Sequence, residues 1–181
     1  MTRQELEHAI RAACDVAEDD AVYVFGSQAI LGQFPDAPAA LRRSAEVDMT
    51  PRTHPERVDA IDGALGALSP FHAAFGFYVH GVAIETALLP TGWERRTVEV
   101  RNENTRHNTG LCLEAHDLAA SKLAAYREKD RDFVRVLLVE GLISPRKLIT
   151  RVRRLPLSAD RIGRLLMWID VTARELRSDG A

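Results

Sequence analysis

Cysteine is scarce in this chain: two, Cys14 and Cys112, stand among 181 residues. They lie far apart and form no metal-ligand spacing, so they read as reduced, half-buried thiols of a cytosolic protein. The six histidines show no HxxxH pair and no Cys/His cluster, which argues against a zinc site. Long apolar runs are missing too, and none approaches the length needed to span a bilayer. The first residues, Met1-Thr2-Arg3-Gln4-Glu5, open an amphipathic polar helix rather than a signal peptide. There is no GxxxxGK P-loop and no GxGxxG fingerprint. Gly26-Ser27-Gln28 is not a nucleophile elbow, and no Ser/His/Asp order suggests a triad. Internal repeats and low-complexity segments are also absent.

What remains is a chain that is 46% hydrophobic, enough for one good core and a small helical appendage. The net charge of −2 is not that of a polyanion binder. The charge is unevenly spread, however. From Gly141 to Ala181 there are nine Lys/Arg against four Asp/Glu. Arg146, Lys147, Arg151, Arg153, Arg154, Arg161 and Arg164 make up most of this excess. Such a stripe is either the solvated side of helices or a dock for nucleic acid or an acidic partner.

The periodicity predicts an ordered series of elements. Residues 3–18 form a helix with Leu6, Ile10, Ala13 and Ala17 on one side. Residues 21–25 form a strand. Gly26-Ser27 leads into a short helix ending near Gln33. After a loop over 34–38 comes a short Ala-Ala-Leu stretch, then a second strand over 45–49, stopped by Pro51. A helix covers 55–68. Residues 75–89 form a hairpin or bent strand around His80-Gly81, and Trp93 to Val100 is a further strand candidate. Helices follow at 116–128, 130–140, 144–154 and 158–177. Ser144 is the N-cap ahead of Pro145, and Ser158 caps the last helix. The expected fold is α/β (α+β), a small mixed sheet with helices on it. It splits into an α/β core over 1–112 and a helical C-terminal part over 113–181, packed on the core.

The chemistry concentrates after the first strand. Gly26-Ser27 closes the apolar run 21–25, and backbone N–H groups with a hydroxyl at such a turn receive phosphate oxygens. On the next strand Glu46 and Asp48 stand at i, i+2 and therefore share a face. Two acids so placed hold a divalent cation beside a phosphate. Taken singly, a Gly-Ser is a tight turn and a Glu-x-Asp is a solvated strand face; it is their order within one strand–helix–strand unit that points to function. Glu85 sits in an otherwise apolar segment, 81–89. It is either an outward-facing strand residue or a third acid, a metal ligand and general base. Lys122 falls inside the apolar stripe of its helix, at i+4 from Leu118, where it either snorkels or holds a triphosphate as a point charge. Arg127, Lys129 and Asp130 add a phosphate-sized cluster one turn on. Asp117 most simply caps the helix.

Phe25-Gly26-Ser27-Gln28 followed by Ser44-Ala45-Glu46-Val47-Asp48 resembles the G-S…D/E-x-D signature of the DNA polymerase β-like nucleotidyltransferase superfamily. Two further segments carry the likeness. One runs from Gly76-Phe77-Tyr78-Val79-His80-Gly81-Val82 through Glu85-Thr86-Ala87 to Trp93. The other is His116-Asp117-Leu118-Ala119-Ala120-Ser121-Lys122-Leu123 with Arg127-Glu128-Lys129-Asp130. Over about residues 20–145 the chain is similar to small bacterial nucleotidyltransferase-like proteins related to the AbiEii and MenT toxins.

The resemblance implies a minimal nucleotidyltransferase sheet and transfer of NMP from an NTP, with Mg²⁺ (or Mn²⁺), to a hydroxyl. By position, Gly26 and Ser27 would bind the β,γ-phosphates. Glu46 and Asp48 would be metal ligands, Glu85 would take the third acid's place, and Lys122 would steady the nucleotide. The chain departs from the pattern in having Glu at 46 and 85, where many members have Asp. The longer arms displace the carboxylates, and Mg²⁺ is demanding about ligand position. The implied partners are an NTP, a tRNA 3′ end or a protein acceptor, and a cognate antitoxin, in the cytoplasm and away from membranes. A catalytically weak nucleotide- or partner-binding module is the alternative. A small-molecule transferase ranks last, because its site favours an acidic cleft over a basic stripe.

Overall fold

A computed structural model describes residues 1–179. The chain divides into two compact units, Met1–Thr86 with Glu94–Glu114, and Ala87–Trp93 with Ala115–Ala181.

The first unit is a five-stranded mixed sheet with helices. Helix α1 (Arg3–Ala17) opens with a capping box: Thr2 Oγ1 accepts from the Glu5 N–H, and Glu5 Oε2 accepts from the Thr2 N–H. Its Leu6, Ile10, Ala13 and Ala17 are fully buried. Strand β1 (Ala21–Phe25) lies at the centre of the sheet. It is antiparallel to β2 (Glu46–Pro51) and parallel to β5 (Thr109–Cys112). Strand β3 (Tyr78–Gly81) runs parallel to β2 at one edge, and β4 (Val98–Val100) is antiparallel to β5 at the other, giving the order β3-β2-β1-β5-β4. Helices α2 (Ile30–Gln33), α3 (Val58–Leu65) and α4 (Pro70–Phe75) complete the unit. Paired between two neighbours, β1 needs no polar alternation, which is why it reads as a continuous apolar run.

Strand β5 escapes the sequence pattern altogether. It is four residues long and interrupted by Gly110. The glycine is required by packing, because a Cβ there would lie 2.3 Å from Ile10 Cδ1 of α1. Other segments also differ from expectation. Residues 75–89 make no hairpin: β3 stops at Gly81 and a 3-10 turn, Ile84–Thr86, follows. The helix expected over 55–68 splits into a 3-10 turn, Pro55–Arg57, and α3, and Ser69 caps the unforeseen α4. Trp93–Arg96 is a 3-10 turn, so only Val98–Val100 of the 93–100 candidate is strand. Pro51 is the last residue of β2 rather than a stop before it.

The second unit is helical: α5 (Ala115–Ala125), α6 (Glu128–Val139), α7 (Pro145–Val152) and α8 (Ala159–Asp179). Ser144 caps α7 by accepting from the Lys147 N–H, with Pro145 at the first turn. Ser158 accepts from the Arg161 N–H at the start of α8. Asp117 sits in the first turn of α5 rather than at the residue that precedes it. It is fully buried inside α5 and lies 3.0 Å from Arg151 Nε of α7. The neighbouring His116 Nε2 accepts from the Ser144 N–H at 3.0 Å, so two adjacent α5 side chains fasten α7. Among the described residues no helix is long and apolar enough to cross a membrane.

Both cysteines are fully buried free thiols, not half-buried ones. Burial pushes each up to about 12, with nearby Asp19, Asp15 and Asp20 adding to the effect at Cys14. Neither is a thiolate nucleophile at neutral pH.

Candidate active site

Alternation along β2 sends Val47 and Met49 into the core, where both are fully buried, and leaves Glu46 and Asp48 half-buried on the opposite face. The parallel register sets Glu46 beside Tyr78 and Asp48 beside His80. The side chains meet as the register directs. The Tyr78 hydroxyl donates to Glu46 Oε2 at 2.6 Å, and His80 Nδ1 lies 3.0 Å from Asp48 Oδ1. The hydrogen bond to Glu46, burial, and the charges of Glu46, Asp48 and Asp62 together push the Tyr78 phenol up to about 12. It therefore stays a neutral donor, and the field around it is negative.

Gly26 stands at the end of β1, next to Phe25, the residue paired with Asp48. Its φ of 71° and ψ of −171° belong to a region open to glycine almost alone. A Cβ there would come within 1.9 Å of Asp48 Oδ2. The Gly-Ser turn and the second acid are thus in direct apposition. Ser27 opens a 3-10 turn, Ser27–Ala29, that runs into the four-residue α2. The turn and the two acids, separated in sequence, are assembled by β1–β2 pairing.

One oxygen or nitrogen from each of Glu46, Asp48 and His80 lies within 4.8 Å of the others, a donor set of two carboxylates and an imidazole suited to a divalent ion. Cis ligands of an octahedral ion at about 2.1 Å are about 3 Å apart, which is the separation of His80 Nδ1 and Asp48 Oδ1. Glu85 is not in this group. It lies on the 3-10 turn Ile84–Thr86 with its side chain exposed, because the strand expected to carry it ends four residues earlier. The third donor is instead His80, which the sequence reading passed over together with Tyr78. The missed signal was Tyr78-x-His80, which repeats on β3 the i, i+2 spacing of Glu46-x-Asp48.

The remaining residues singled out in the sequence belong to the second unit. Lys122 Nζ is 3.3 Å from Asp130 Oδ1 and 5.1 Å from the centre of the Phe133 ring. Arg127 meets the same carboxylate through Nε at 2.6 Å. Burial pushes the Asp130 carboxyl up. The Arg127 hydrogen bond and the charges of Lys122 and Arg127 outweigh that and hold it below the usual carboxylate range. Lys129 is exposed beside them. The basic stripe is partly consumed by structure. Arg151 is committed to Asp117, Arg161 donates to the Ala124 carbonyl at 3.0 Å, and Arg164 pairs with Asp160. Arg146 and Arg153 are exposed and line a cleft with Ile149 and Asp170.

No curated protein and no solved structure matches the chain. Residues 4–159 match a family model described as a nucleotidyltransferase of unknown function (DUF6036). That span takes in the glycine turn, the carboxylate pair, His80 and the Lys122–Asp130 pair, and the chain belongs to this family of nucleotidyltransferases.

Proposed function

We propose that the protein is a divalent-metal-dependent nucleotidyltransferase, using Mg²⁺ or Mn²⁺, that moves NMP from an NTP to a hydroxyl at a tRNA 3′ end. In this reading it is the cytoplasmic toxin of a toxin–antitoxin pair. The observation that carries the reading is the apposition of Gly26 and Asp48, with Glu46 on the same face, in a chain of a nucleotidyltransferase family.

Glu46 and Asp48 hold the ion, which when bound neutralises the triphosphate and eases departure of pyrophosphate. Gly26 and the Ser27 hydroxyl receive the β,γ-phosphates. Tyr78 keeps Glu46 oriented through its hydroxyl. Lys122 and Arg127 are held by Asp130 and brace the second unit in this reading. The acceptor oxygen attacks the α-phosphorus, the bond to the β-phosphate breaks, and the hydroxyl proton is released to water. The exposed Arg146, Arg153 and Arg154 are the cations offered to an RNA backbone. Glu85 takes no part, since it lies outside the donor group.

The test is incubation of the protein with divalent metal, each α-³²P-labelled NTP in turn and total tRNA, beside Asp48→Ala. Label on RNA with the wild type only is expected, with a loss of about a thousandfold or more in the variant. Label on protein would replace the acceptor with a protein hydroxyl. Binding of NTP without any transfer would favour a nucleotide-binding module, a reading also supported by His80, rather than a third carboxylate, completing the Glu46–Asp48 group among the described residues.

A further inference from the structure

We infer that His80 supplies an imidazole nitrogen to the ion held by Glu46 and Asp48, and that this nitrogen makes the site prefer a first-row transition ion over Mg²⁺. The inference rests on the nucleotidyltransferase reading and goes beyond it in naming the metal class. Three observations converge. The parallel register places His80 beside Asp48, on the face that carries both acids. Its Nδ1 is already at a cis-ligand separation from Asp48 Oδ1, 3.0 Å. The ring is 44% exposed, so an ion and its water shell can reach it.

Without an ion, Nδ1 and Oδ1 share a hydrogen bond. Coordination through Nδ1 requires the ring proton to sit on Nε2. The Tyr78 hydroxyl occupies Glu46 Oε2 and orients that carboxylate, as outer hydrogen bonds do for metal-bound carboxylates generally. Mg²⁺ favours an all-oxygen shell, whereas imidazole suits the later first-row ions, with Mn²⁺ the weakest binder of that series. Exchange of a third carboxylate for an imidazole also removes one negative charge, which weakens the hold on a hard ion further.

The probe is Mn²⁺ with inorganic triphosphate, a phosphate ligand that contains no nitrogen, added to the full chain. Pulsed EPR is expected to show one directly coupled ¹⁴N on the bound Mn²⁺. That coupling should disappear in His80→Gln and become a ¹⁵N coupling when histidine alone is ¹⁵N-labelled. In His80→Asp the ratio of Mn²⁺ to Mg²⁺ affinity is expected to fall about tenfold. Mn²⁺ that binds stoichiometrically, is lost in Asp48→Ala, yet shows no coupled nitrogen would sink the inference while leaving the nucleotidyltransferase reading intact. An unchanged affinity ratio in His80→Asp would overturn the selectivity. Failure to bind Mn²⁺ at all, with or without triphosphate, would overturn both readings.

Discussion

The buried acids of the helical unit and the carboxylates of strand β2 are met in opposite ways. In the helical unit, Asp117 and Asp130 are wholly buried, and each is met by a fixed cation: Arg151 for the first, Lys122 and Arg127 for the second. On the sheet, Glu46 and Asp48 are half-buried and face a phenol and an imidazole. A carboxylate buried against a guanidinium has its charge matched permanently, and the pair acts as a brace. A carboxylate with no guanidinium or ammonium against it keeps its capacity to take a cation from solution. The difference separates structural acids from metal-binding ones by the identity of the partner, where burial alone would have ranked Asp117 and Asp130 as the more unusual groups.

The most forceful way to break this comparison is to remove one acid of each kind and measure stability by urea denaturation. Asp117→Ala removes the carboxylate beside Arg151, whose side chain is only 11% exposed. A loss of about 3–5 kcal/mol is expected, the usual result of breaking a buried pair on one side. Asp48→Ala removes one of two like charges that share a face, so stability should change by less than about 1 kcal/mol while transfer is abolished. Equal losses of stability in the two variants would erase the distinction between the units.

A smaller effect tests the glycine between turn and acid. Gly26→Ala meets both a left-handed φ and the Asp48 carboxylate. The strain amounts to roughly 1–3 kcal/mol, and relief requires Asp48 to move. Stability and metal affinity are therefore expected to fall together, by urea denaturation and Mn²⁺ titration respectively. Loss of stability with metal affinity untouched would mean that Asp48 does not depend on this contact for its position.

How much of this was legible in the sequence follows from range. Thr2-x-x-Glu5, Ser144-Pro145 and the run 21–25 announce themselves because caps and a central strand are decided by neighbours in sequence. Glu46 and Asp48 share a face by strand geometry alone, and that reading needed no partner. Glu85 and His80 went the other way, because their placement depends on where β3 ends and which strand it joins. Val82-Ala83-Ile84 is apolar enough for a strand, yet the backbone turns at Gly81 and lifts Glu85 away from the acids. Strand β5 was invisible since Gly110, needed so that Ile10 can approach, removes the very side chain that would have marked it. Asp117 was read as a cap because nothing local reveals Arg151, thirty-four positions on in the sequence.

The finest test is pH, applied to Asp130. Its carboxyl is held below the usual range when folded, because Arg127 and Lys122 outweigh its burial, while in the unfolded chain it titrates near 3.9. The folded state therefore binds protons less readily than the unfolded one. The resulting stability is fully present above about pH 5 and drains away as pH falls through 3.9 toward the depressed folded value. Asp130→Asn mimics the protonated form at every pH and lacks this contribution throughout. Urea midpoints measured from pH 7 to 3.5 should show a constant gap between wild type and variant down to about pH 5, then a narrowing one. A gap that holds steady to pH 3.5 would mean the Asn variant loses packing rather than charge. The Lys122–Asp130 pair would then not be the charge-matched brace that sets the helical unit apart from the sheet.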